Sequence, residues 1–236
     1  MPINMITGQK YSIDYQKMRN ELMELNIFND KTIQQKYVDT WVNELMNADS
    51  ISVSSYFDPN NRELLLKEKL EAPEIFQALV KMKTNDMYIH FRVSRIIQML
   101  KINNVSEADA QDIEIGEFTS HRTISWTETE KNVENDKPII IVPFMIGKTY
   151  KELVIDGNHR ITTAIREGKK YIKAFILSSQ AVVENKLLSS SFDLLLYVFQ
   201  NELVWMGSFY NKNNIYDEQA LITNSFLISG KINIAY

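Results

Sequence analysis

Five consecutive residues, Asp156 to Arg160, carry the side-chain types with the clearest chemical potential in this chain. They read Asp-Gly-Asn-His-Arg, follow a short apolar run and precede a helical pattern, so they fall where a strand becomes a helix. The start of a helix presents unpaired backbone N–H groups and the positive end of the helix dipole, which suits an anion. The spacing therefore predicts a phosphate-binding turn. The structural alternative is an ordinary turn in which Asp or Asn caps the helix and the Arg is exposed.

Each residue of this box has a role in that chemistry. Gly157 permits a ligand to approach the backbone closely, or a turn that other residues resist. Arg160 offers a planar fork that matches phosphate oxygens, and His159 adds a donor when it is protonated. Asp156 is suited to hold Mg²⁺, to orient a neighbouring side chain or to bond a ribose hydroxyl.

The residues after the box are locally basic, whereas the whole chain is acidic. Between positions 156 and 173, five basic residues face two acidic ones, although the net charge of the 236-residue chain is -4. This asymmetry favours an anionic ligand at the box. The acidic total argues against a protein that is held to nucleic acid mainly by bulk charge.

Composition excludes several other kinds of protein. The chain is 44% hydrophobic, so it is expected to be globular, and it has no cysteine, which excludes disulfides, thiolate zinc sites and cysteine nucleophiles. Its longest apolar runs are too short to span a bilayer, and its opening residues lack the pattern of a signal peptide. We therefore expect no membrane partner and a cytoplasmic location.

Apolar spacing predicts helices in the first hundred residues and a change of character in the middle. The predicted N-terminal elements are helices over 31–50, from Pro73 and after Asp86, and a short strand over 51–57. The middle predicts strands over 138–145, 151–156 and 171–177, with a helix from Asn158 to Glu167 that Gly168 ends. A buried helix from Ser189 and a tail with one weak strand complete the chain.

These elements predict an α+β fold with a small mixed sheet as its core. We expect a helical N-terminal region over residues 1–110, the core over 111–180, and a C-terminal helix and tail over 181–236 that pack on it. The sequence leaves the oligomeric state open.

The box and its surroundings also resemble a known family. The stretch VIDGNHRITTAIREGKKYIKAFIL, with the upstream NDKPIIIVPF, is similar to the signature of the ParB/sulfiredoxin-like superfamily, and the resemblance covers residues 113–178. It implies the sheet core of that superfamily and a nucleotide triphosphate or diphosphate as ligand, with Mg²⁺. It also implies that the phosphates contact Gly157, Asn158, His159, Arg160 and Thr162.

By the same resemblance, a hydrolase or phosphotransferase would use Asp156, His159 and Arg160 for catalysis, with Asp156 near the metal. The kinase-like branch also needs an upstream carboxylate base, for which Glu117 or Glu114 stands in the right order along the chain. A solvated surface position is the simpler interpretation of both glutamates.

Departures from the family pattern reduce the number of activities that the resemblance allows. Sulfiredoxin chemistry is excluded because Asn158 stands at the position of the catalytic cysteine and the chain has none. His159-Arg160 replaces the Arg-Arg pair of chromosome-segregation ParB proteins, and no helix-turn-helix pattern follows. The rival hypothesis is a DNA-associated protein of a mobile element or defence system whose box touches the DNA backbone. A pure interaction module is the third.

Four other residues attract attention for their types. His121 and Arg122 form a second His-Arg pair, expected in an exposed loop, although they could face the same phosphates. His90 is expected to be a satisfied packing residue, and Trp126 to close the core.

Overall fold

The computed structural model describes residues 2–58, 74–120, 123–130, 136–146, 149–213 and 217–226. Within these ranges the chain is an α+β protein, as the sequence predicts. Its helices are α1 (Tyr15–Glu24), α2 (Lys31–Phe57), α3 (Val93–Ile102), α4 (Ile115–Thr119), α5 (Asn158–Arg166), α6 (Ser179–Glu184), α7 (Ser191–Asn213) and α8 (Glu218–Asn224). Its strands are β1 (Ile75–Lys81), β2 (Asp86–Arg92), β3 (Gln111–Glu114), β4 (Ile124–Ser125), β5 (Ile139–Ile146), β6 (Thr149–Asp156) and β7 (Tyr171–Ile176).

The chain folds into two compact units. The first comprises Met1–Ala72, Gln77–His90 and Leu188–Tyr236, and the second comprises Pro73–Phe76 and Phe91–Leu187. The second unit contains the Asp-Gly-Asn-His-Arg box.

The first unit is mainly helical, and its core lies among α1, α2 and α7. Asp14 and Asp30 begin α1 and α2 by accepting hydrogen bonds from first-turn amides. The helix predicted from Ser189 is confirmed as α7, which is apolar over much of its circumference and buries an unbroken run, Leu195 to Phe199. His90 is buried as predicted, and its Nδ1 lies 3.0 Å from Asp193 Oδ1.

Two helix predictions in the first hundred residues are wrong. Residues 75–81 form β1, in which Ala78 and Val80 are buried and Leu79 is exposed, and residues 86–92 form β2, so the later helix begins only at Val93. The turn between the strands is closed by the Met82 N–H, which donates to the Asn85 carbonyl at 2.9 Å. Apolar residues at 75, 76, 79 and 80 fit a helical face, but burial in the structure follows the period of two of a strand.

The structure also differs from two strand predictions. Residues 51–57 continue α2 instead of forming a strand, and part of the tail forms α8. The rest of the predicted tail strand, over 227–236, lies outside the described residues.

The second unit is built on a five-stranded mixed sheet with the order β3-β7-β5-β6-β4. β5 is the central strand, antiparallel to β6 and parallel to β7, while β3 and β4 form the edges. The predictions of β5, β6, α5 and β7 are confirmed within one or two residues. α5 packs Ile161 and Ala164 on a fully buried surface that includes Ile141 and Val154. This packing fixes the start of α5 at the end of β6.

No described helix combines the length and the apolar character that crossing a membrane requires.

Candidate phosphate-binding site

The turn between β6 and α5 depends on Gly157. Its backbone has φ +99°, in the left-handed region, and a β-carbon at this position would contact Ile139 Cγ2 and lie 2.8 Å from Ile139 Cβ. No other residue satisfies both constraints without strain. Gly157 occupies the N-cap position, where it offers no side chain to the first-turn amides. The helix therefore begins without the side-chain cap that the alternative interpretation of the box requires.

Arg160 ties the first turn of α5 to the end of β6 and to the segment just before β5. Its Nη2 donates to Asp156 Oδ2 at 2.6 Å, and its Nη1 donates to the carbonyls of Lys137 at 3.0 Å and Pro138 at 3.2 Å. The side chains of Arg160 and Asp156 are only 10% and 20% exposed, so this ion pair is well shielded. Asp156 thus orients Arg160, one of the three roles that the sequence suggested for it.

A groove of about 490 Å³ runs beside α5, and Arg160 lines it. The walls come from α5, β3, β7 and the segment before β5. The charged lining residues are four basic and three acidic, namely Lys137, Arg160, Lys169 and Lys173 with Asp112, Asp136 and Glu167.

Residues that line the groove form exposed ion pairs with one another. Lys169 lies 3.3 Å from both Asp136 and Glu167, and Lys173 lies 3.5 Å from Asp112. Asp136, and then Glu167, raise the pKa of Lys169. Because these side chains are largely in solvent, such pairs contribute little to stability and exchange readily with other charges.

The opposite face of α5 holds a segment of the chain's own backbone. This segment, Thr127 to Glu130, is named the strap here. The Thr127 N–H donates to Asn158 Oδ1 at 2.7 Å, and the Thr129 N–H donates to Thr162 Oγ1 at 3.1 Å. One turn later, Arg166 donates to the carbonyls of Thr129 at 2.9 Å and Glu130 at 3.2 Å. Asn158 and Thr162, two of the predicted phosphate contacts, are therefore engaged by the strap.

His159 lies between these two faces. Helical geometry, with about 100° per residue, places it between the groove side and the strap side of α5. The residue is exposed, and its carbonyl accepts from Thr163 Oγ1 at 3.0 Å. His159 therefore lies at the surface of the first turn.

The described contacts of the two upstream glutamates do not involve the box. Glu117 accepts from Thr123 Oγ1 at 2.8 Å, and Glu114 lies 3.5 Å from the Tyr171 hydroxyl. Burial, followed by the charge of Glu117, raises the pKa of Glu152. Among the described contacts, none joins either glutamate to the Asp156–Arg160 pair.

A different glutamate, Glu74, lies within electrostatic reach of the box. Burial raises the pKa of its carboxyl, the charge of Asp156 raises it further, and Arg160 lowers it. The Glu74 N–H donates to Ser94 Oγ at 2.8 Å, which anchors its backbone at the start of α3. No sequence signal identified Glu74, because it stands far from the box along the chain and belongs to no motif.

The predicted metal role of Asp156 finds no supporting ligand set. Among the described residues, no group of three or more His, Cys, Asp or Glu side chains is arranged to hold a metal ion. The Asp156 carboxylate is already paired with Arg160. These residues do not by themselves form a Mg²⁺ site, and no step of the proposal below depends on one.

The remaining sequence predictions concern packing. Trp126 closes the core as predicted, since its Nε1 donates to the Phe118 carbonyl at 3.0 Å and its ring packs on the cluster under α5. His121 and Arg122 lie outside the described residues.

Comparison with known proteins adds no relative: no family model, no curated protein and no solved structure matches this chain.

Proposed function

We propose that the second unit binds a nucleotide whose phosphates lie against the first turn of α5, at His159 and Arg160. The observation that carries the proposal is Arg160, which belongs to the first turn of a helix that starts without a side-chain cap and lines the groove that runs along α5. The helix dipole and the first-turn amides favour an anion at this end of α5, and the Arg160 guanidinium adds a charged donor beside the groove. This is the arrangement expected for a phosphate site.

Arg160 keeps part of its hydrogen-bonding capacity for a ligand. A guanidinium carries five N–H donors, and the bonds to Asp156, Lys137 and Pro138 use three of them. These bonds also hold the side chain in one orientation, so little conformational entropy is lost when a phosphate binds. His159, exposed one residue earlier, supplies a further donor when it is protonated.

The groove suits the rest of a nucleotide in size and character. Its volume of about 490 Å³ lies within the range of roughly 300–1,000 Å³ that is usual for ligand pockets. A phosphate can replace Asp136 as the partner of exposed Lys169 at small cost. Tyr171, which also lines the groove and is 43% exposed, offers a ring on which a base can stack.

Activity on the nucleotide would use the same groups. Arg160 and His159 are placed to stabilise negative charge that develops on a phosphoryl group, which is the main catalytic requirement of phosphoryl transfer. Release of inorganic phosphate, or transfer to an acceptor, is the activity to measure after binding.

Thermal denaturation with ATP, ADP and CTP, each with and without Mg²⁺, tests the proposal. We expect at least one nucleotide to raise the Tm in a concentration-dependent way. Arg160→Ala and the milder Arg160→Lys should reduce the ligand-induced shift, even where they lower the Tm of the free protein. Arg19→Ala is the matched control. Arg19 also pairs with an aspartate, since its Nε lies 2.5 Å from Asp39 Oδ1, but it belongs to the first unit.

Two results would contradict the proposal. One is a Tm that no nucleotide changes. The other is a nucleotide-induced shift that Arg160→Ala leaves intact. Duplex DNA is included as a separate arm: binding of DNA alone, with a steep dependence on salt, would favour the DNA-associated rival.

A further inference from the structure

His90 is a buried histidine whose two ring nitrogens are both engaged inside the first unit. Its side chain is 1% exposed, and its Nδ1 lies 3.0 Å from Asp193 Oδ1. Its Nε2 lies 3.2 Å from the Met5 backbone nitrogen and 3.2 Å from Gln77 Oε1. All four residues belong to the first unit, so this cluster is not part of the candidate phosphate site.

The contacts of Asp193 fix the role of the Nδ1 atom. Asp193 Oδ1 also accepts from the His90 backbone N–H at 3.2 Å, and Oδ2 accepts from Ser190 Oγ at 2.8 Å. Both carboxylate oxygens therefore act as acceptors. Nδ1 carries the proton that it donates to Asp193, in the neutral ring and in the cation alike.

The Nε2 atom faces two partners with opposite requirements. The Met5 N–H can only donate, whereas Gln77 Oε1 can only accept. The neutral ring has a lone pair at Nε2, so it accepts from Met5 and offers nothing to Gln77. The cationic ring has an N–H at Nε2, so it donates to Gln77 and leaves the Met5 N–H without this acceptor. One proton therefore decides which partner the ring holds.

The charged and titratable groups around His90 favour the cation, whereas burial of the ring favours the neutral form. Among the described side chains that contact Asp193, His90 is the basic one, and a buried carboxylate without a cation is costly. The other ring neighbours are Tyr88 on β2, at 6.4 Å between ring centroids, and Tyr11, at 5.2 Å from Tyr88. Asp49 on α2, a second buried carboxylate, lies within electrostatic reach of Tyr11.

Met5 lies in a tight turn, residues 4–8, that is stabilised by its own side chains. Asn4 Oδ1 accepts from the Ile6 N–H at 3.0 Å and from the Thr7 N–H at 3.1 Å. Among the described hydrogen bonds of these residues, the one that ties the turn to β2 is that from the Met5 N–H. Loss of this bond leaves the turn intact but detached from β2.

The residues on either side of the turn are held by other contacts. Ile3 is buried, and the Tyr11 hydroxyl accepts from the Tyr88 N–H at 3.2 Å. Burial raises the pKa of the Tyr11 hydroxyl above its ordinary value, so this group stays protonated at neutral and acidic pH. The bond between Tyr88 and Tyr11 is therefore a tie to β2 that does not change with pH in that range.

We propose that His90 is a proton-sensitive catch for the turn over residues 4–8, in which the neutral ring holds Met5 and the cationic ring releases it and holds Gln77. The catch lies in the first unit and does not depend on the nucleotide proposed for the second. A proton gained from solvent at Nε2 exchanges one hydrogen bond for the other. The turn, with Ile6 exposed on it, then moves independently of β2.

NMR of the full chain between pH 8 and pH 5, where imidazole side chains change charge, tests the catch. The ¹⁵N shifts of the His90 ring show when Nε2 gains its proton, and hydrogen exchange gives the protection of the Met5 amide, corrected for the pH dependence of intrinsic exchange. We expect Met5 protection to fall about tenfold as Nε2 is protonated, which is the effect of losing one hydrogen bond. The Tyr88 amide is the internal control and should keep its protection.

Gln77→Met examines the second partner. It removes the acceptor of the cationic ring and keeps a side chain of similar length, so His90 should gain its proton, and Met5 should lose its protection, at lower pH than in the unmodified protein. Gln16→Met is the matched control. The Gln16 side chain donates to Asn20 on the exposed side of α1, so its replacement should leave the pH of both changes as it was.

Four results would overturn the catch. The His90 ring keeps one protonation state from pH 8 to pH 5, or Nε2 gains its proton while Met5 protection stays constant. Equal loss of protection at Met5 and Tyr88 would show a general loosening of the segment rather than release of the turn. Changes that occur at the same pH in Gln77→Met as in the unmodified protein would show that Gln77 is not the alternative partner.

Discussion

Gly157 and Ile139 are in such close contact that a β-carbon on the glycine would lie 2.8 Å from the Ile139 Cβ. The backbone of Gly157 also has φ +99°, which residues with a side chain rarely adopt. Ile139 is the first residue of the central strand β5 and is fully buried, so it has little room to move. The turn that begins α5 is therefore built against the core of the second unit.

Three glycine-to-alanine variants in the second unit separate these two effects. Gly157→Ala combines backbone strain with a steric clash, and we expect it to lower the free energy of unfolding by about 2–4 kcal/mol. Gly168 has φ +68° but open space around it, so Gly168→Ala should cost about 1–2 kcal/mol. Gly116 lies inside α4 and has neither constraint, so Gly116→Ala should raise the free energy of unfolding by about 0.5–1 kcal/mol. Denaturant unfolding measures the series, and equal losses at Gly157 and Gly168 would contradict the role of Ile139.

The Asp156–Arg160 pair should show strong coupling in a double-mutant cycle. Arg160→Ala removes the ion pair and the bonds to the Lys137 and Pro138 carbonyls, whereas Asp156→Ala removes the ion pair alone. We expect Arg160→Ala to be the more destabilising, at about 2–3 kcal/mol, with a coupling free energy of about 1–2 kcal/mol. Additive losses would show that the two side chains act independently.

The same pair should tune Glu74 in opposite directions. Asp156 raises the pKa of the Glu74 carboxyl and Arg160 lowers it, although burial is the largest cause of its elevation. Asp156→Asn should therefore lower the Glu74 pKa, and Arg160→Ala should raise it. An NMR titration of the Glu74 carboxyl carbon measures both shifts. Asp39→Asn, which removes an aspartate paired with Arg19 in the first unit, is the control and should leave Glu74 unchanged.

In the first unit, Glu202 should make stability depend on pH. Its buried carboxyl accepts from the Tyr37 and Ser225 hydroxyls, each at 2.8 Å, and from the Phe226 N–H at 2.9 Å. These donors lower its pKa, but burial outweighs them, so the pKa is raised from the ordinary value of 4.5. The folded state thus holds a proton that the unfolded state releases above about pH 4.5.

This difference in proton binding between the folded and unfolded states makes stability fall as the pH rises. The contribution of Glu202 to stability is fully present below pH 4.5 and is lost as the pH rises through the folded-state pKa. Glu202→Gln should remove this slope, because a neutral amide does not titrate and can still accept from the Phe226 N–H while its NH2 donates to the Tyr37 and Ser225 hydroxyls. Unfolding free energies of both proteins between pH 4 and 9 provide the test. A constant difference over that range would contradict the prediction.

Local sequence patterns were sufficient to predict the elements whose structure is decided by residues close together in the sequence. β5, β6, α5 and β7 were predictable because short apolar runs, an amphipathic helix and Gly168 each leave a signal within a few residues. β1 was not, because Ile75, Phe76, Leu79 and Val80 also fit a helical face. Its strand form depends on pairing with β2, which is an interaction between different segments of the chain.

The sequence by itself determined the class of the fold, the position of the box between β6 and α5, and the chemical types available there. Only the tertiary structure decided how those types are used: Arg160 faces the groove, Asn158 and Thr162 hold the strap, and Glu117 lies at Thr123 while Glu74 lies within reach of Asp156. The physical reason is the distance along the chain over which each kind of interaction acts. Backbone preference and amphipathic period act over a few residues, whereas a side chain's partner depends on which distant segments the packed sheet brings beside it.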